Sequence, residues 1–147
     1  MPYLFLIPSA VAGLMVSWTD IRTRRVPISV VTAGCVAQII AWCIWYTMYD
    51  DDKPLFAALL LGIGSALLQL ILALIKPGHL GFGDVTCTLL IGLGVGRFGI
   101  TATACWWLFM GAIGLLLLVI QHGRGKDSIP FAPAIVVSGW LTVILQP

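Results

Sequence analysis

Residues 54–75 read PLFAALLLGIGSALLQLILALI, an apolar run without a charged side chain, between Lys53 and Lys76. A helix needs about 20 apolar residues to cross the hydrocarbon core of a bilayer. A strand exposed to lipid is excluded, because its backbone N–H and C=O groups would lack hydrogen-bond partners there. The run therefore predicts a transmembrane helix.

The rest of the chain repeats this pattern. Of its 147 residues, 60% are hydrophobic and 10% are charged, whereas soluble domains average about 25% charged residues. The charges fall in short clusters that separate six uncharged runs, at 1–19, 26–49, 54–75, 85–96, 98–121 and 128–147. We therefore predict an all-α polytopic membrane protein with six transmembrane helices, forming a single membrane-embedded domain over residues 1–147. Membrane lipids are the expected partner, and a net charge of +2 is too small to indicate nucleic acid.

The basic residues predict how the helices are oriented, because Lys and Arg accumulate in cytoplasmic loops. If all six runs cross, Lys53 and Arg97 lie on one side and the other six lie opposite, namely Arg22, Arg24, Arg25, Lys76, Arg124 and Lys126. If the short run at 85–96 does not cross, the split falls to five against three. Six spans with both termini outside the cell are therefore preferred. The aromatic residues Tyr3, Trp45, Tyr46 and Tyr49 are then expected near the outer boundary.

Small residues and cysteines lie within the predicted helices. Small residues at four-residue spacing, Ala58, Gly62 and Ala66 in one run and Gly92 and Gly96 in another, predict close helix contacts. The four cysteines contain no C-x-x-C pair, so neither a zinc site nor a disulfide framework is indicated. We expect them to act as small hydrophobic residues.

Two acidic residues lie at the edges of predicted helices. Asp20 follows the run at 1–19, and Asp84 precedes the run at 85–96. The charge pattern places both on the cytoplasmic side at similar depth. A carboxyl group at membrane depth costs about 2.5–3.5 kcal/mol on insertion scales, so such residues are functional candidates. Each is the expected partner of the other.

A pair of neighbouring carboxyl groups is able to hydrolyse a peptide bond. Both do not ionise at close range, so one keeps a proton. The ionised group takes a proton from water while the neutral group donates to the carbonyl oxygen. Gly81 and Gly83 lack side chains and would let an extended substrate backbone approach. Helix N-termini favour negative charge, so we expect Asp84 to be ionised and Asp20, at a helix C-terminus, to be protonated.

Three sequence blocks resemble the type IV prepilin peptidase family, whose members are polytopic aspartic proteases of the GxGD type. Residues 20–27 read DIRTRRVP, similar to the family's Asp, basic stretch and Val-Pro. Residues 81–85 read GFGDV, which contains GxGD, and residues 129–133 read IPFAP, similar to the family's Pro-Phe-Gly-Pro. The blocks occur in the family's order and extend over the whole chain.

The resemblance implies an activity, a site and a location. Asp20 and Asp84 match the catalytic pair, and Gly81, Gly83, Pro130, Phe131 and Pro133 match the loops expected to bind substrate. The implied substrate is a prepilin-like protein, whose short basic leader is removed on the cytoplasmic side of its apolar helix. The implied location is the bacterial inner membrane, and no metal or other cofactor is implied.

The chain also departs from the family pattern. It lacks the methylating region of the longer members, and its small size resembles the stand-alone peptidases that serve Flp/Tad-type pili. Family members often have Lys where this chain has Thr86, Asn where it has Ile28, and Gly where it has Ala132. These departures leave open which leaders are accepted. The oligomeric state is not indicated by the sequence.

Other interpretations of the two acidic residues remain. Asp84 would cap its helix and Asp20 would pair with a nearby Arg in a purely structural role. In a small transporter or channel subunit, the two would form part of a proton or cation path. A third alternative is a structural subunit of a secretion machine. His79 and His122 would complete an Asp2His2 metal site with Asp20 and Asp84, but their spacing matches no metal motif.

Overall fold

The computed structural model of the protein describes residues 2–75, 81–122 and 130–146. Several residues used in the sequence analysis lie outside this range, namely Lys76, His79, Arg124, Lys126 and Ile129. The side chain of His122 is also not described. The predicted charge split and the Asp2His2 alternative therefore depend partly on residues that are not described.

The described residues form helices and contain no strand, which confirms the all-α prediction. The α-helices are α1 (Ile7–Thr23), α2 (Ile28–Tyr49), α3 (Lys53–Ile75), α4 (Phe82–Val95), α5 (Ile100–His122) and α6 (Ala132–Ile144). Short 3-10 helices at Pro2–Leu6 and Gly96–Phe98 precede α1 and follow α4.

Helix α1 extends one turn further than the sequence predicted. Asp20 was expected to end it, but the helix continues to Thr23. Arg24 then adopts the left-handed conformation with φ of 52°, and its N–H donates to the Asp20 carbonyl oxygen. This backbone cap stops the helix and leaves the Asp20 side chain inside its last turn.

Within the described parts of the chain, four segments are long and apolar enough to cross a membrane. They are Tyr3–Thr23, Ile28–Tyr49, Lys53–Ile75 and Ile100–Ile120. Between 22% and 33% of each is buried inside the bundle, so most of their apolar side chains face outward, as expected for helices surrounded by lipid. Helix α4 has 14 residues and α6 has 13, fewer than the 20 or so that a full crossing needs.

The length of α6 differs from the prediction. The uncharged run at 128–147 was expected to form a full-length span, but the helix begins only at Ala132. Pro130 disfavours helical geometry in the residue before it, and Pro133 suits the first turn of a helix, so these prolines place the helix start inside the run. The distance between charged residues gives the length of an apolar segment, but it does not give the length of the helix within that segment.

Helices α1 and α2 run in opposite directions, as do α1 and α4, α3 and α4, and α5 and α6, so the bundle has two ends. Midway along α2, the Gln38 side chain accepts from the Ser9 N–H at 3.0 Å and donates to the Phe5 carbonyl at 2.8 Å. The first and last described segments meet at one end of the bundle, where the Tyr3 hydroxyl donates to the Gln146 carbonyl oxygen at 3.3 Å. The start of α4 and the start of α6 lie at the other end.

Helix α4 is the centre of the bundle. Most of its residues are buried, and it packs against α1, α2, α3 and α6. A Cβ atom added to Gly62 would lie 2.9 Å from the Leu93 nitrogen, and one added to Gly92 would lie 2.9 Å from the Gly62 Cα. The small residues predicted to bring helices together therefore do so between α3 and α4.

Aromatic rings gather at the end where the first and last described segments meet. The Trp45 ring stacks on Tyr49 at 4.2 Å and meets Phe5 edge-on at 5.1 Å. The Arg97 guanidinium lies 4.8 Å from the Trp45 ring centroid and 5.1 Å from that of Trp42. This clustering at one boundary agrees with the predicted aromatic belt.

Candidate active site

The Asp20 side chain joins the end of α1 to the start of α6. It is buried, with 7% of its surface exposed. Its Oδ2 atom accepts a hydrogen bond of 3.2 Å from the N–H of Ala132, the first residue of α6. The contact pairs one of the N–H groups that a helix N-terminus leaves without a partner in its own helix.

The expectation that Asp20 is the protonated member of the pair stays a prediction. It considered only the C-terminal end of α1, which disfavours negative charge. The N-terminal end of α6 acts in the opposite direction on the same carboxyl group. The Asp20 carboxyl group therefore lies between the end of one helix and the start of another, whereas Asp84 lies at a helix start alone.

Asp84 lies in the first turn of α4. Its Oδ2 atom accepts a 3.1 Å hydrogen bond from the Gly81 N–H, and its own N–H donates to the Gly81 carbonyl oxygen at 3.0 Å. The bond from the Gly81 N–H is the side-chain half of a capping box, and the other half is a backbone bond because Gly81 has no side chain. Asp84 therefore caps the helix start, as the structural interpretation expected. A second role is compatible with it, because the cap engages only one of the two carboxylate oxygens.

The two acids line the same cavity. It has a volume of about 670 Å³ and lies at the end of the bundle where α1 ends and α4 begins. The lining residues are Asp20, Arg24, Arg25, Val26, Ile28, Gly81, Phe82, Gly83, Asp84, Thr86 and Phe131. The two carboxyl groups are near enough to interact electrostatically. The cavity thus unites residues from all three sequence blocks.

The predicted loop residues divide into two groups. Gly81, Gly83 and Phe131 line the cavity, whereas Pro130 and Pro133 are not among its lining residues. The Phe131 ring packs against α5, where a Cβ added to Gly114 would lie 2.6 Å from its Cε2 atom. Phe131 therefore forms part of the cavity wall, and the two prolines flank the helix start that Asp20 caps.

Gly83 also contacts another sequence block. A Cβ added there would lie 2.7 Å from the Val26 Cβ, closer than such atoms approach in proteins. At Gly81, the nearest atom to an added Cβ would be the Asp84 Oδ2, at an ordinary 3.7 Å. Packing between the first two blocks thus explains Gly83, and no such packing explains Gly81.

The cavity has a charged side and an apolar side. Arg24 interacts electrostatically with Asp20, and Arg25 lines the cavity beside it. Arg22 is instead placed over the Trp18 ring, 4.3 Å from its centroid. Val26, Ile28, Phe82 and Phe131 supply the apolar wall, which suits a peptide with both polar backbone and apolar side chains.

No metal centre is formed by the residues that the structure describes, among which no group of three or more His, Cys, Asp or Glu side chains lies together. Thr86, which departs from the family pattern, donates to the Gly83 carbonyl oxygen at 2.9 Å. It therefore reinforces the turn that contains Asp84.

Two features of the site were not anticipated from the sequence. These are the Ala132 N–H that binds Asp20 and the Val26 side chain that packs on Gly83. The IPFAP block indicates a helix start, but nothing in it indicates which distant side chain meets that start. Both features depend on how the helices pack.

Comparison with known proteins adds no further identification. No protein-family model, curated protein or solved structure matches this chain. Fold and site define an all-helical protein with four candidate membrane spans and a two-carboxylate cavity at one end of its bundle. A functional conclusion therefore depends on the residues themselves.

Proposed function

We propose that this chain is an aspartic endopeptidase of the type IV prepilin peptidase kind. It removes the short basic leader of prepilin-like proteins. The observation that carries the proposal is that Asp20 and Asp84, from distant sequence blocks, line one cavity with Phe131 of the third block. A purely structural role for each acid would not require them to share a cavity.

The proposed chemistry uses one ionised and one protonated carboxyl group. The ionised group takes a proton from water, and the resulting oxygen nucleophile attacks the carbonyl carbon of the scissile peptide bond. The protonated group donates its proton to the carbonyl oxygen, which gives a tetrahedral gem-diol. The proton taken from water then passes to the nitrogen as the C–N bond breaks, and one gem-diol hydroxyl returns its proton to the other carboxylate. The Ala132 and Gly81 N–H groups hold Oδ2 of Asp20 and Asp84, so the reaction uses Oδ1 of each.

We propose that all six helices lie across the inner membrane of a bacterium, with both termini outside and the cavity at the cytoplasmic face. The alternating helix directions and the Tyr3–Gln146 contact support this arrangement. Helices α4 and α6 are short for a crossing, but α4 lies inside the bundle, where protein surrounds it. A cavity at the membrane edge suits cleavage between a basic leader and an apolar helix.

The charge distribution disfavours the transporter or channel alternative. A proton or cation path would place ionisable groups along the depth of the bilayer. Asp20 and Asp84 both lie at one end of the bundle, and the stretches 85–95 and 132–146 beyond them contain no charged residue. Peptide hydrolysis at the membrane edge needs no such path.

The decisive experiment measures leader cleavage by purified protein in detergent. The substrate is a synthetic polypeptide with a short basic leader followed by an apolar helix, with and without a metal chelator. We expect wild-type cleavage in both conditions. Asp20→Asn and Asp84→Asn should each reduce the rate by at least about 10³-fold, because each removes half of the acid–base pair.

Asp50→Asn is the matched control. Asp50 lies at the other end of the bundle in the left-handed conformation, with φ of 51°, which Asn also tolerates. It should retain wild-type cleavage. Full activity in either correctly folded dyad variant would refute the proposed function, and loss of activity with chelator would indicate a metal enzyme instead.

A further inference from the structure

Two buried hydroxyl groups in the described bundle lack hydrogen-bond partners. They are the Oγ of Ser17 and the Oγ1 of Thr88. Other buried hydroxyls donate to a carbonyl three or four residues earlier in their own helix, as at Ser9, Thr103, Ser138 and Thr142. Ser17 and Thr88 make no such bond.

Both hydroxyl-bearing residues lie one helical turn from an acid of the cavity. Thr88 follows Asp84 by four residues in α4, and Ser17 precedes Asp20 by three residues in α1. Residues at these spacings lie on the same face of a helix. Each hydroxyl is therefore placed on the side of its helix that carries the carboxyl group.

The packing of α1 against α4 places both hydroxyls on the inner side of the acids. Ser9 meets Gly94, and Gly13 meets Ile91, so the two helices run in opposite directions. Continuing this register brings Asp20 level with Asp84 at the cavity end. Ser17 and Thr88 then lie one turn deeper in the bundle, and Thr88 is fully buried at 0% exposure.

An unpaired hydroxyl in such a position needs an explanation. Buried polar groups in proteins are almost always hydrogen-bonded, since leaving one unpaired destabilises the fold. Ala and Val would fill the positions of Ser17 and Thr88 without this cost. On the helix faces that carry Ser17 and Thr88, the neighbouring polar side chains toward the cavity are the carboxyl groups of Asp20 and Asp84.

We propose that Ser17 and Thr88 are positioning residues for the two acids. Each hydroxyl donates through one buried water to the carboxyl group one turn above it. The hydrogen bond holds the orientation of the carboxyl group and stabilises the negative charge on that group when it is ionised. This inference rests on the proposed peptidase function and adds residues to it that no sequence block contains.

The pH dependence of cleavage is the readout that separates positioning from packing. The other described charged groups at the cavity are Arg24 and Arg25. The Cys87 thiol lies near both acids, and the Cys35 thiol lies near Cys87. All of these remain in every variant. A change in the pH profile after loss of one hydroxyl therefore reports on that hydroxyl.

The experiment compares Thr88→Val and Ser17→Ala with matched controls. We expect each to lower kcat by about 10-fold with KM unchanged, and to move one limb of the pH profile up by about one unit. The acidic limb moves where the lost hydroxyl faces the ionised acid, and the alkaline limb moves where it faces the protonated acid. Thr88→Ser keeps the hydroxyl and should stay within about 2-fold of wild type. Thr142→Val and Ser138→Ala delete buried hydroxyls of α6 that bond to their own helix and should leave the profile unchanged.

Several outcomes overturn the inference without touching the proposed function. One is a wild-type pH profile in both Ser17→Ala and Thr88→Val, with Asp84→Asn inactive. Another is a Thr88→Ser variant as impaired as Thr88→Val, which would assign the effect to packing of the methyl group. If Thr88→Val does not fold, Ser17→Ala, which deletes a single oxygen, decides alone. Failure of the wild type to cleave would instead refute the function itself.

Discussion

Gly81 and Gly83 belong to one motif, but the structure gives different physical reasons for the absence of their side chains. Gly83 faces Val26 so closely that no Cβ fits between them, whereas Gly81 has only ordinary contacts around its Cα. Gly83 therefore holds the first and second sequence blocks together at the cavity. Among the described residues, the nearest atom to a Cβ added at Gly81 is the Asp84 Oδ2 at 3.7 Å, so we expect Gly81 to leave room for a substrate backbone beside that carboxyl group.

Substitution by alanine should separate these two roles. We expect Gly83→Ala to destabilise the protein by about 1–3 kcal/mol, because the added methyl overlaps Val26. Gly81→Ala should change the free energy of unfolding by less than about 0.5 kcal/mol. Thermal unfolding in detergent measures both. Equal stability of the two variants would contradict the packing role of Gly83.

At the residue scale, the sequence predicted which two acids come together, but it did not predict the contacts that hold them. The spacing of charges and the GFGDV block indicated Asp20 and Asp84, and both line one cavity. The Ala132 N–H that binds Asp20 was not predictable, because it belongs to a helix more than a hundred positions away and a backbone N–H leaves no mark in the sequence. Local patterns identify chemical groups, and only packing identifies their partners.

Among the helices, α4 has the largest influence on the position of the acids, because it is buried in the bundle and carries Asp84 in its first turn. Its position is fixed by close contact with α3, where Gly62 and Gly92 bring the two backbones together. Inside a bilayer the hydrophobic effect does not drive helices together, so close packing between small residues supplies much of the helix association. The α3–α4 contact therefore helps to hold Asp84 at the cavity.

Two glycines of α3 offer a direct test of this contact. We expect Gly62→Ala to destabilise the protein by about 1–3 kcal/mol, because the added Cβ would lie 2.9 Å from the Leu93 nitrogen and backbone atoms do not move aside easily. Gly64→Ala is the control, since an added Cβ meets nothing within 4 Å there. Alanine should be neutral or slightly stabilising at that position.

Thermal unfolding of both variants in one detergent provides the measurement. A Gly62→Ala protein as stable as Gly64→Ala would show that α3 and α4 separate without cost. It would also remove the argument that this contact holds Asp84 in place. Leader cleavage by Gly62→Ala should fall together with its stability.

The sequence predicted most helix positions but not all helix lengths. The uncharged runs at 26–49 and 54–75 match α2 and α3 within two residues at each end. The run at 128–147 gave a helix of only 13 residues. Charges mark the ends of apolar segments sharply, whereas proline and backbone caps decide where a helix starts within such a segment.

At the scale of the whole molecule, the arrangement of charges relative to the cavity determines which face of the membrane the site would occupy. Arg22, Arg24 and Arg25 lie at the cavity end, and Lys53 and Arg97 lie at the opposite end. The described residues alone thus give only a small excess of basic residues at the cavity end. The predicted orientation depends further on Lys76, Arg124 and Lys126, so it needs a direct experiment.

Cysteine labelling tests this orientation in a variant whose four native cysteines are replaced by alanine, because Cys43 is itself exposed. Asp52→Cys and Thr23→Cys place single thiols at the two ends of α2 without removing a basic residue, and acidic residues contribute little to topology. A membrane-impermeant maleimide should label Asp52→Cys in intact cells and Thr23→Cys only after permeabilisation. The reverse pattern would place the cavity outside the cell, where it would not meet a leader on the cytoplasmic side. Labelling of both from the same side would show that α2 does not cross.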